Sequence, residues 1–490
     1  MNYFISENAF EFNSGTEFSQ AARTSMYNSF GNLTLFVTRN YTPVFHRTIK
    51  TLGLNDHQVL NMYDFFQEAT RVSRVKQNLR ESVTIPKKRY VIESPNPDQS
   101  LILNEGRTVA KVNVMPATVA LMGNVEYFDR FDHIVARDEW DYRGFKSSTA
   151  YFHPNGEVSL QKFYTPVGKV VLEITHMNVQ GHLMPTMYKL INYCGANYRF
   201  NTENELFTFF MNEQLKQNPG TIILERASML NTIQGIKSTK GKYFYLHSSH
   251  TNLKGQLLTT LVELMRGALD FTGIIVATKQ QQQDMQPLTT LPVLAAPDTI
   301  VKENKTNLLA NCKSHKILVL GRIAKEKQPQ DALYILKSVQ ASVADATLEF
   351  RGYSTDRQLL NELDLLIEQL GLKNTVTFGN YVVGKMLDDV IEGAQVLLST
   401  VPTEGNGMQN IEAMSHGLPV IAYNVNYGPN TYMSNEQLVS IGNYDQAANR
   451  IVSLFQDDKQ WQEASILASQ QAQLFTKDSV YKQWQDLNLQ

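Results

Sequence analysis

Short apolar runs alternate with turns rich in glycine and proline and with longer amphipathic stretches, and this rhythm changes twice along the chain. Up to about residue 82, Tyr3-Phe4-Ile5 reads as a short strand. Asn13-Ser14-Gly15 reads as a turn, a helix starts at about Glu17, and Leu33-Thr34-Leu35-Phe36-Val37-Thr38 is a second strand. A strand, a glycine turn, a helix and another strand predict the start of a parallel α/β layer. Between about 85 and 195 the spacing shortens. Strand-like pieces recur at Tyr90–Ile92, Leu101–Leu103, Ala110–Val114, His133–Ala136, Thr149–Phe152 and Lys169–Ile174. Turn signals such as Asn104-Glu105-Gly106 and Pro154-Asn155-Gly156 separate them. That is the pattern of an antiparallel meander, so this stretch reads as an inserted domain.

From about 200 the α/β rhythm returns. Gly220–Glu225, Tyr243–His247 and Gly273–Thr278 are apolar strands whose C-terminal ends turn polar, where open parallel sheets bind ligands. The Lys279–Gln283 run reads as the solvated start of a helix. A second α/β set begins near residue 315, with strands at Lys316–Arg322, Thr347–Arg351, Val376–Phe378, Val396–Ser399 and Leu418–Tyr423. From about Asp445 the chain is helical. The expected architecture is α/β, two doubly wound domains around a cleft, with a β-rich insertion in the first.

Composition narrows the partners. The chain of 490 residues carries 45 Lys+Arg against 47 Asp+Glu, a formal charge of −2, with 42% hydrophobic and 19% charged residues. This is ordinary for a folded protein and lacks the basic excess of a dedicated nucleic-acid binder. Two cysteines, Cys194 and Cys312, exclude a disulfide scaffold and a cysteine-rich zinc site, and point to a reducing compartment. The N-terminal residues have no basic, then apolar, signal-peptide pattern, and no run of about 18 apolar residues suggests a membrane span. The expected location is cytoplasmic, or peripheral at the inner face of the membrane.

Four motifs carry candidate chemistry. The densest is Thr400-Val401-Pro402-Thr403-Glu404-Gly405-Asn406-Gly407-Met408-Gln409-Asn410-Ile411-Glu412, which follows a strand and opens a helix near Gly407. Small residues there expose backbone N–H groups to a phosphate or sugar oxygen. Glu404 belongs to the loop, and Glu412 lies two turns along the helix. The second motif is Gly321-Arg322-Ile323-Ala324-Lys325-Glu326-Lys327. Arg322 and Lys327 at a strand end can clamp a diphosphate and neutralise charge on a departing phosphate. In Leu246-His247-Ser248-Ser249-His250, two histidines lack a third ligand nearby, so His247 reads as a hydrogen-bonding group at the cleft rather than a metal ligand. In Ser14-Gly15-Thr16-Glu17, glycine permits close approach of a diphosphate. Nucleotide-binding Gly-x-Gly-x-x-Gly, Walker, Asp-x-Asp and Gly-x-Ser-x-Gly motifs are absent.

Together these motifs resemble glycosyltransferase family 4, the retaining enzymes of GT-B fold. Asn13–Ala21, Val59–Phe66, His247–His250, Arg322–Lys327 and Tyr427–Asn430 look like the A subunit of bacterial O-GlcNAc transferases that modify serine-rich proteins. They also look like the teichoic-acid, poly(polyol phosphate), α-glycosyltransferases. The resemblance implies Rossmann-like segments at 1–84 and 196–305 around a β-rich insertion at 85–195, then a Rossmann-like nucleotide-sugar domain with C-terminal helices at 306–490. It implies catalytic roles for His247, Arg322, Lys327 and Glu404. Gly15, Thr16, Asn380, Gly405, Asn406, Gly407 and Glu412 would bind the donor, with Glu412 on the ribose and Asn380 near the uracil. No metal and no cofactor are expected.

The implied reaction moves a sugar, N-acetylglucosamine or glucose, from its UDP donor to Ser/Thr of a protein or to a teichoic acid. A related non-catalytic subunit, or a second copy held through residues 85–195, is the expected partner; nucleic acid is not. The alternative of another class is a catalytically inactive, acceptor-binding subunit. Such a subunit is expected to lose the Arg/Lys clamp or the Glu pair, and here all four residues are present. In Val293–Asp298 the chain departs from the family's usual link between domains.

Overall fold

The structure, a computed structural model, describes residues 1–9, 14–78, 88–237, 240–252, 254–301 and 314–489. Asn13, Cys312 and the expected boundaries near 84 and 305 lie outside the described residues. The chain divides into two compact units.

One unit comprises Met1–Glu11, Leu33–Gly220 and Ser228–Thr239. Its strands Asn2–Ser6, Thr34–Thr38 and Val59–Asn61 run parallel, with Phe4 opposite Phe36 and Phe36 opposite Val59. Tyr3, Phe4 and Ile5 are all fully buried, so this strand reads as a continuous apolar run rather than an alternation. Ten antiparallel strands follow in simple chain order, from Val91–Asn96 to Ala196–Phe200. Four of them, Met122–Phe128, Val158–Tyr164, His182–Tyr193 and Ala196–Phe200, were not among the expected strands. Their runs mix polar with apolar residues because much of the sheet is only half-buried. Pro185 argues against a strand, yet it sits where the pairing shifts register, a bulge that tolerates its missing N–H.

Buried polar contacts tie this meander to the segments before it. Gln67 Nε2 donates to the carbonyls of Ser147, at 2.8 Å, and Tyr164, at 2.7 Å. Arg143 bridges Asp64 and Asp141, each at 2.7 Å, and His46 joins Asp64 at 2.6 Å and Asp56 at 2.7 Å.

The other unit comprises Phe12–Asn32, Thr221–Ala227 and Lys240–Gln490. Four parallel strands, Thr221–Leu224, Lys242–Leu246, Gly273–Val276 and Val293–Ala295, neighbour one another in chain order. A second, six-stranded parallel sheet runs Val376–Gly379, Thr347–Arg351, Lys316–Leu320, Val396–Ser399, Val420–Tyr423, Leu438–Val439. The chain starts in its middle at Lys316–Leu320, winds out to one edge, then returns beside its own start, Ile317 facing Val396. Its core packs Leu333, Leu336, Phe350 and Trp461 between strands and helices. The C-terminal helix Lys477–Asp486 brings Trp484 back to the first sheet, its indole N–H on the Pro297 carbonyl at 2.7 Å. Among the described residues no helix is long and apolar enough to cross a membrane.

Candidate functional site

In a doubly wound sheet the ligand crevice opens where strand order reverses, beyond the carboxyl ends of the two flanking strands. Here those strands are Lys316–Leu320 and Val396–Ser399, and they lead directly into the Arg322 and Glu404 loops. Gly321, Arg322, Lys327, Thr400 and Gln409 line one groove. Thr400 Oγ1 ties the two loops by donating to the carbonyls of Lys327, at 3.2 Å, and Gln328, at 3.1 Å. Arg322 is half-exposed and paired with Glu326 at 2.5 Å, a solvent-screened contact that a phosphate can displace.

The Glu404 loop is held from several sides. Gly405 N–H and Gln409 Nε2 donate to the two Glu404 carboxylate oxygens, at 3.2 and 3.1 Å. The Tyr427 N–H donates to the Glu404 carbonyl at 2.6 Å. Gly407 precedes the helix Met408–Ser415 in the left-handed region, φ +83°, with Tyr432 Oη packed where a side chain would begin. Gly405 lies against the His247 backbone, so closely that a Cβ there would fall 1.8 Å from the His247 carbonyl oxygen.

The Gly15 turn reaches the same place. Helix Gly15–Ser29 begins beside Met408, whose Sδ and Cε lie 3.8 Å from where a Gly15 Cβ would stand. Two helix N-termini therefore meet here, and their exposed N–H groups favour an anion. Glu17 caps this start, accepting from Ser14 N–H at 3.0 Å and Ser14 Oγ at 2.6 Å, and pairs with Arg226. Thr16 lies in the first turn and is half-buried.

One expected donor-binding residue points elsewhere. The Asn406 side chain is buried and donates to Asp298 at 2.6 Å and Thr299 at 3.0 Å. Asn380 is exposed just after Val376–Gly379, at the carboxyl end of the edge strand of the six-stranded sheet. Glu412 stands on its helix beside His416 and Asp388, with candidate ligand atoms within 4.8 Å of one another.

His247 is doubly held. Its Nδ1 meets Asp298 at 2.7 Å and its Nε2 meets Glu225 at 2.5 Å. Glu225 also receives Arg23 at 2.6 Å, and that guanidinium lies over the rings of Tyr245 and Trp484. Burial lowers the His247 pKa, but the hydrogen bonds and charges of Asp298 and Glu225 more than offset it, leaving the value raised. Burial likewise opposes ionisation of Asp298, yet its bonds to His247 and Asn406, with the charges of His247 and Arg23, bring it down to about 2. His250 takes a different course, stacked near Tyr427 with its pKa lowered by burial. Arg23, Glu225 and Asp298 were not singled out from the sequence. The signals were a strand ending in Glu225 and the Pro297-Asp298 step in an apolar stretch.

Residues 301–470 match the family described as Glycosyl transferases group 1. The chain is 24% identical over 454 residues to the UDP-N-acetylglucosamine--peptide N-acetylglucosaminyltransferase GtfA subunit of Streptococcus agalactiae, covering 86% of this chain and 83% of that protein. It is 21% identical over 373 residues to the poly(glycerol-phosphate) alpha-glucosyltransferase of Bacillus subtilis (strain 168), covering 74% of this chain and 55% of that one. Among solved structures it superposes on the pneumococcal O-GlcNAc transferase GtfA in complex with UDP and GlcNAc with a TM-score of 0.81, at 18% identity, over 99% of this chain and 98% of that one.

Proposed function

We propose that this glycosyltransferase, a GT-B chain with a group 1 domain at residues 301–470, moves N-acetylglucosamine from its UDP donor to Ser or Thr of a protein, with retention at the anomeric carbon. The observation that carries the reading is the meeting of three distant segments: the Gly15 helix start, the His247 backbone and the Glu404–Met408 turn. They adjoin the groove that holds Arg322 and Lys327.

In this reading Arg322 and Lys327 take the diphosphate and stabilise it as it leaves. Gly15 and Thr16 approach it from the facing helix start. Glu404 holds sugar hydroxyls, Glu412 the ribose, and Asn380 lies towards the base. No metal and no cofactor take part; the Asp388–Glu412–His416 group keeps Glu412 oriented. The departing phosphate takes the acceptor's proton, so the C–O bond to phosphate breaks as the bond to the acceptor oxygen forms on the same face. The relative in Streptococcus agalactiae is named a subunit, which supports a partner subunit; in this reading that partner is a related chain that binds the acceptor. The reaction would proceed in the cytoplasm or at the inner face of the membrane.

The test is incubation with UDP-GlcNAc and a Ser-rich polypeptide, with and without the product of the neighbouring gene, read by mass spectrometry. We expect N-acetylhexosamine on the polypeptide, lost in Glu404→Gln. No mass gain under any condition would end the protein-acceptor reading.

One observation favours a second acceptor, a poly(polyol phosphate). Arg47, Arg74 and Lys76, with Gln77 and Tyr142, line a cleft of about 350 Å³ whose described lining contains no carboxylate. Backbone bonds from Val75 N–H to the Arg143 carbonyl and from Met122 N–H to the Gln77 carbonyl, both 2.8 Å, hold this segment extended. Residues two apart then share a side, which places Arg74 and Lys76 together. If the cleft holds a polyphosphate acceptor, Ala at these three positions abolishes transfer to the polymer and leaves transfer to the polypeptide intact.

A further inference from the structure

Three buried charged groups and His247 form a chain of alternating sign: Arg23, Glu225, His247, Asp298. The Arg23 and Glu225 side chains are fully buried, and Asp298 keeps 6% of its side-chain exposure. Buried charge persists only where it is paired, and this chain balances only with His247 protonated. An imidazolium donates from both nitrogens, and both are already taken by carboxylates. The ring therefore cannot serve as a proton acceptor while the chain is intact, although its edge, 18% exposed, remains open to a ligand.

Asp298 does more than balance charge. One of its oxygens, Oδ2, holds His247, while the other, Oδ1, accepts from Asn406 at 2.6 Å and Thr299 Oγ1 at 2.9 Å. Asn406 is the residue between Gly405 and Gly407 in the Glu404 turn. A single carboxylate thus links the segment that leaves the strand Val293–Ala295 to the catalytic turn of the six-stranded sheet. The link lies beside the Gly405 contact on the His247 backbone, so the turn is pinned at two points. Ser19 Oγ donates to the Asp298 carbonyl at 2.9 Å, and Arg23 Nη2 donates to Ser19 Oγ at 2.7 Å, which fix Asp298 to the helix that begins at Gly15.

We propose that Asp298 is a positioning residue: through His247 on one oxygen and Asn406 on the other, it holds the histidine and the Glu404 turn as one rigid unit for donor binding and transfer. The role rests on the glycosyltransferase reading above. Asp298 touches neither donor nor acceptor in this account; it acts through His247 and Glu404.

The charged and titratable groups facing His247 are Glu225, Asp298 and, behind Glu225, Arg23, with the Tyr245 ring tilted beside the imidazole at 4.7 Å between centroids. Removing the Asp298 charge leaves Glu225 alone to hold the proton, so the His247 pKa falls. The geometric role and the charge role separate in a swap. Asn406→Asp alone sets two carboxylates against each other and breaks the joint. Asp298→Asn alone removes the charge beside His247. The pair Asp298→Asn with Asn406→Asp restores an amide–carboxylate hydrogen bond between the positions but moves the negative charge away from the ring.

The experiment compares the full chain and these three variants by UDP affinity, by steady-state kcat and KM for UDP-GlcNAc against pH, and by ¹⁵N NMR titration of the His247 ring. Thermal unfolding selects variants that remain folded. We expect Asn406→Asp to raise donor KM by about tenfold or more, equivalent to about 1.4 kcal/mol. The double variant should recover most of that loss. The basic limb of kcat/KM and the His247 titration should both move to lower pH, by about one unit or more, in Asp298→Asn and in the double variant. A double variant no better than Asn406→Asp, with both folded, overturns the joint. An unchanged His247 titration in Asp298→Asn overturns the charge role. The titration and UDP affinity are read without turnover. An inactive parent with the expected titration, and with UDP affinity lost in Asn406→Asp and recovered in the double variant, would therefore count against the glycosyltransferase reading and leave the joint standing.

Discussion

Two glycines of the site look alike in sequence and differ sharply in space, and replacing each by alanine separates packing from ligand binding. At Gly405 a new Cβ would lie 1.8 Å from the His247 carbonyl oxygen and 2.6 Å from its carbonyl carbon. Non-bonded heavy atoms sit comfortably at about 3.5–4.0 Å, so the backbone must move by more than about 1 Å, and no side-chain rotation relieves it. A displacement of about 1 Å in positioned groups costs about 100-fold in rate, or about 2.7 kcal/mol of transition-state stabilisation. Overpacking of this kind also costs about 1–3 kcal/mol of fold stability. At Gly15 the new Cβ would stand 3.8 Å from Met408 Sδ and Cε, an ordinary contact. Alanine there leaves fold stability unchanged or raises it by up to about 1 kcal/mol, because glycine weakens a helix. Any loss in Gly15→Ala must then come from a ligand approaching the helix start. The assay is UDP release from UDP-GlcNAc at varied donor, with urea unfolding of each variant. We expect Gly405→Ala to lose kcat and stability together, and Gly15→Ala to raise donor KM on an unchanged fold. Gly405→Ala within about threefold of the parent, or Gly15→Ala with unaltered KM, would refute this reasoning.

Arg322→Ala and Lys327→Ala should each lower kcat by about 100-fold or more through lost stabilisation of the leaving diphosphate, whereas Glu326→Gln, which breaks an exposed pair, should change stability by less than about 1 kcal/mol; steady-state kinetics and thermal melts check both. Arg143→Ala should destabilise the fold by about 3–5 kcal/mol, because it strands Asp64 and Asp141 in the interior; guanidinium unfolding measures it, and a loss under about 1 kcal/mol would contradict the pairing. Stability should also depend on pH through two groups of opposite sign. The Asp298 contribution, with its folded value at about 2, is full above its unfolded value near about 3.9 and is lost as pH falls towards about 2. The His247 contribution is full below about 6.5 and is lost as pH rises through its raised folded value. Urea midpoints across pH should therefore decline at both ends, and Asp298→Asn should flatten the acid limb.

The strands that build the site were legible because each is short, apolar and closed by a polar residue. Lys316–Leu320 before Gly321-Arg322 and Val396–Ser399 before Thr400 announce both the sheet and the loops that leave it. The meander was harder to read. Val158–Tyr164 alternates in a half-exposed sheet, and His182–Tyr193 carries a proline that only a bulge accommodates. The partners of His247 were hidden for a different reason. Glu225, Asp298 and Arg23 lie 22, 51 and 224 residues from it, and only the tertiary fold joins them. The direction of the Asn406 side chain was equally hidden: a polar residue between two glycines reads as a ligand contact, and here it faces an interior carboxylate.

The anomeric configuration of the product tests the central claim most directly. UDP-GlcNAc carries an α-linked sugar, and retention transfers it as an α-linkage. The account predicts a Ser/Thr-linked product with the small anomeric proton coupling of an α-glycoside. A β-linked product, or UDP-GlcNAc left intact in the presence of acceptor and partner, would contradict it.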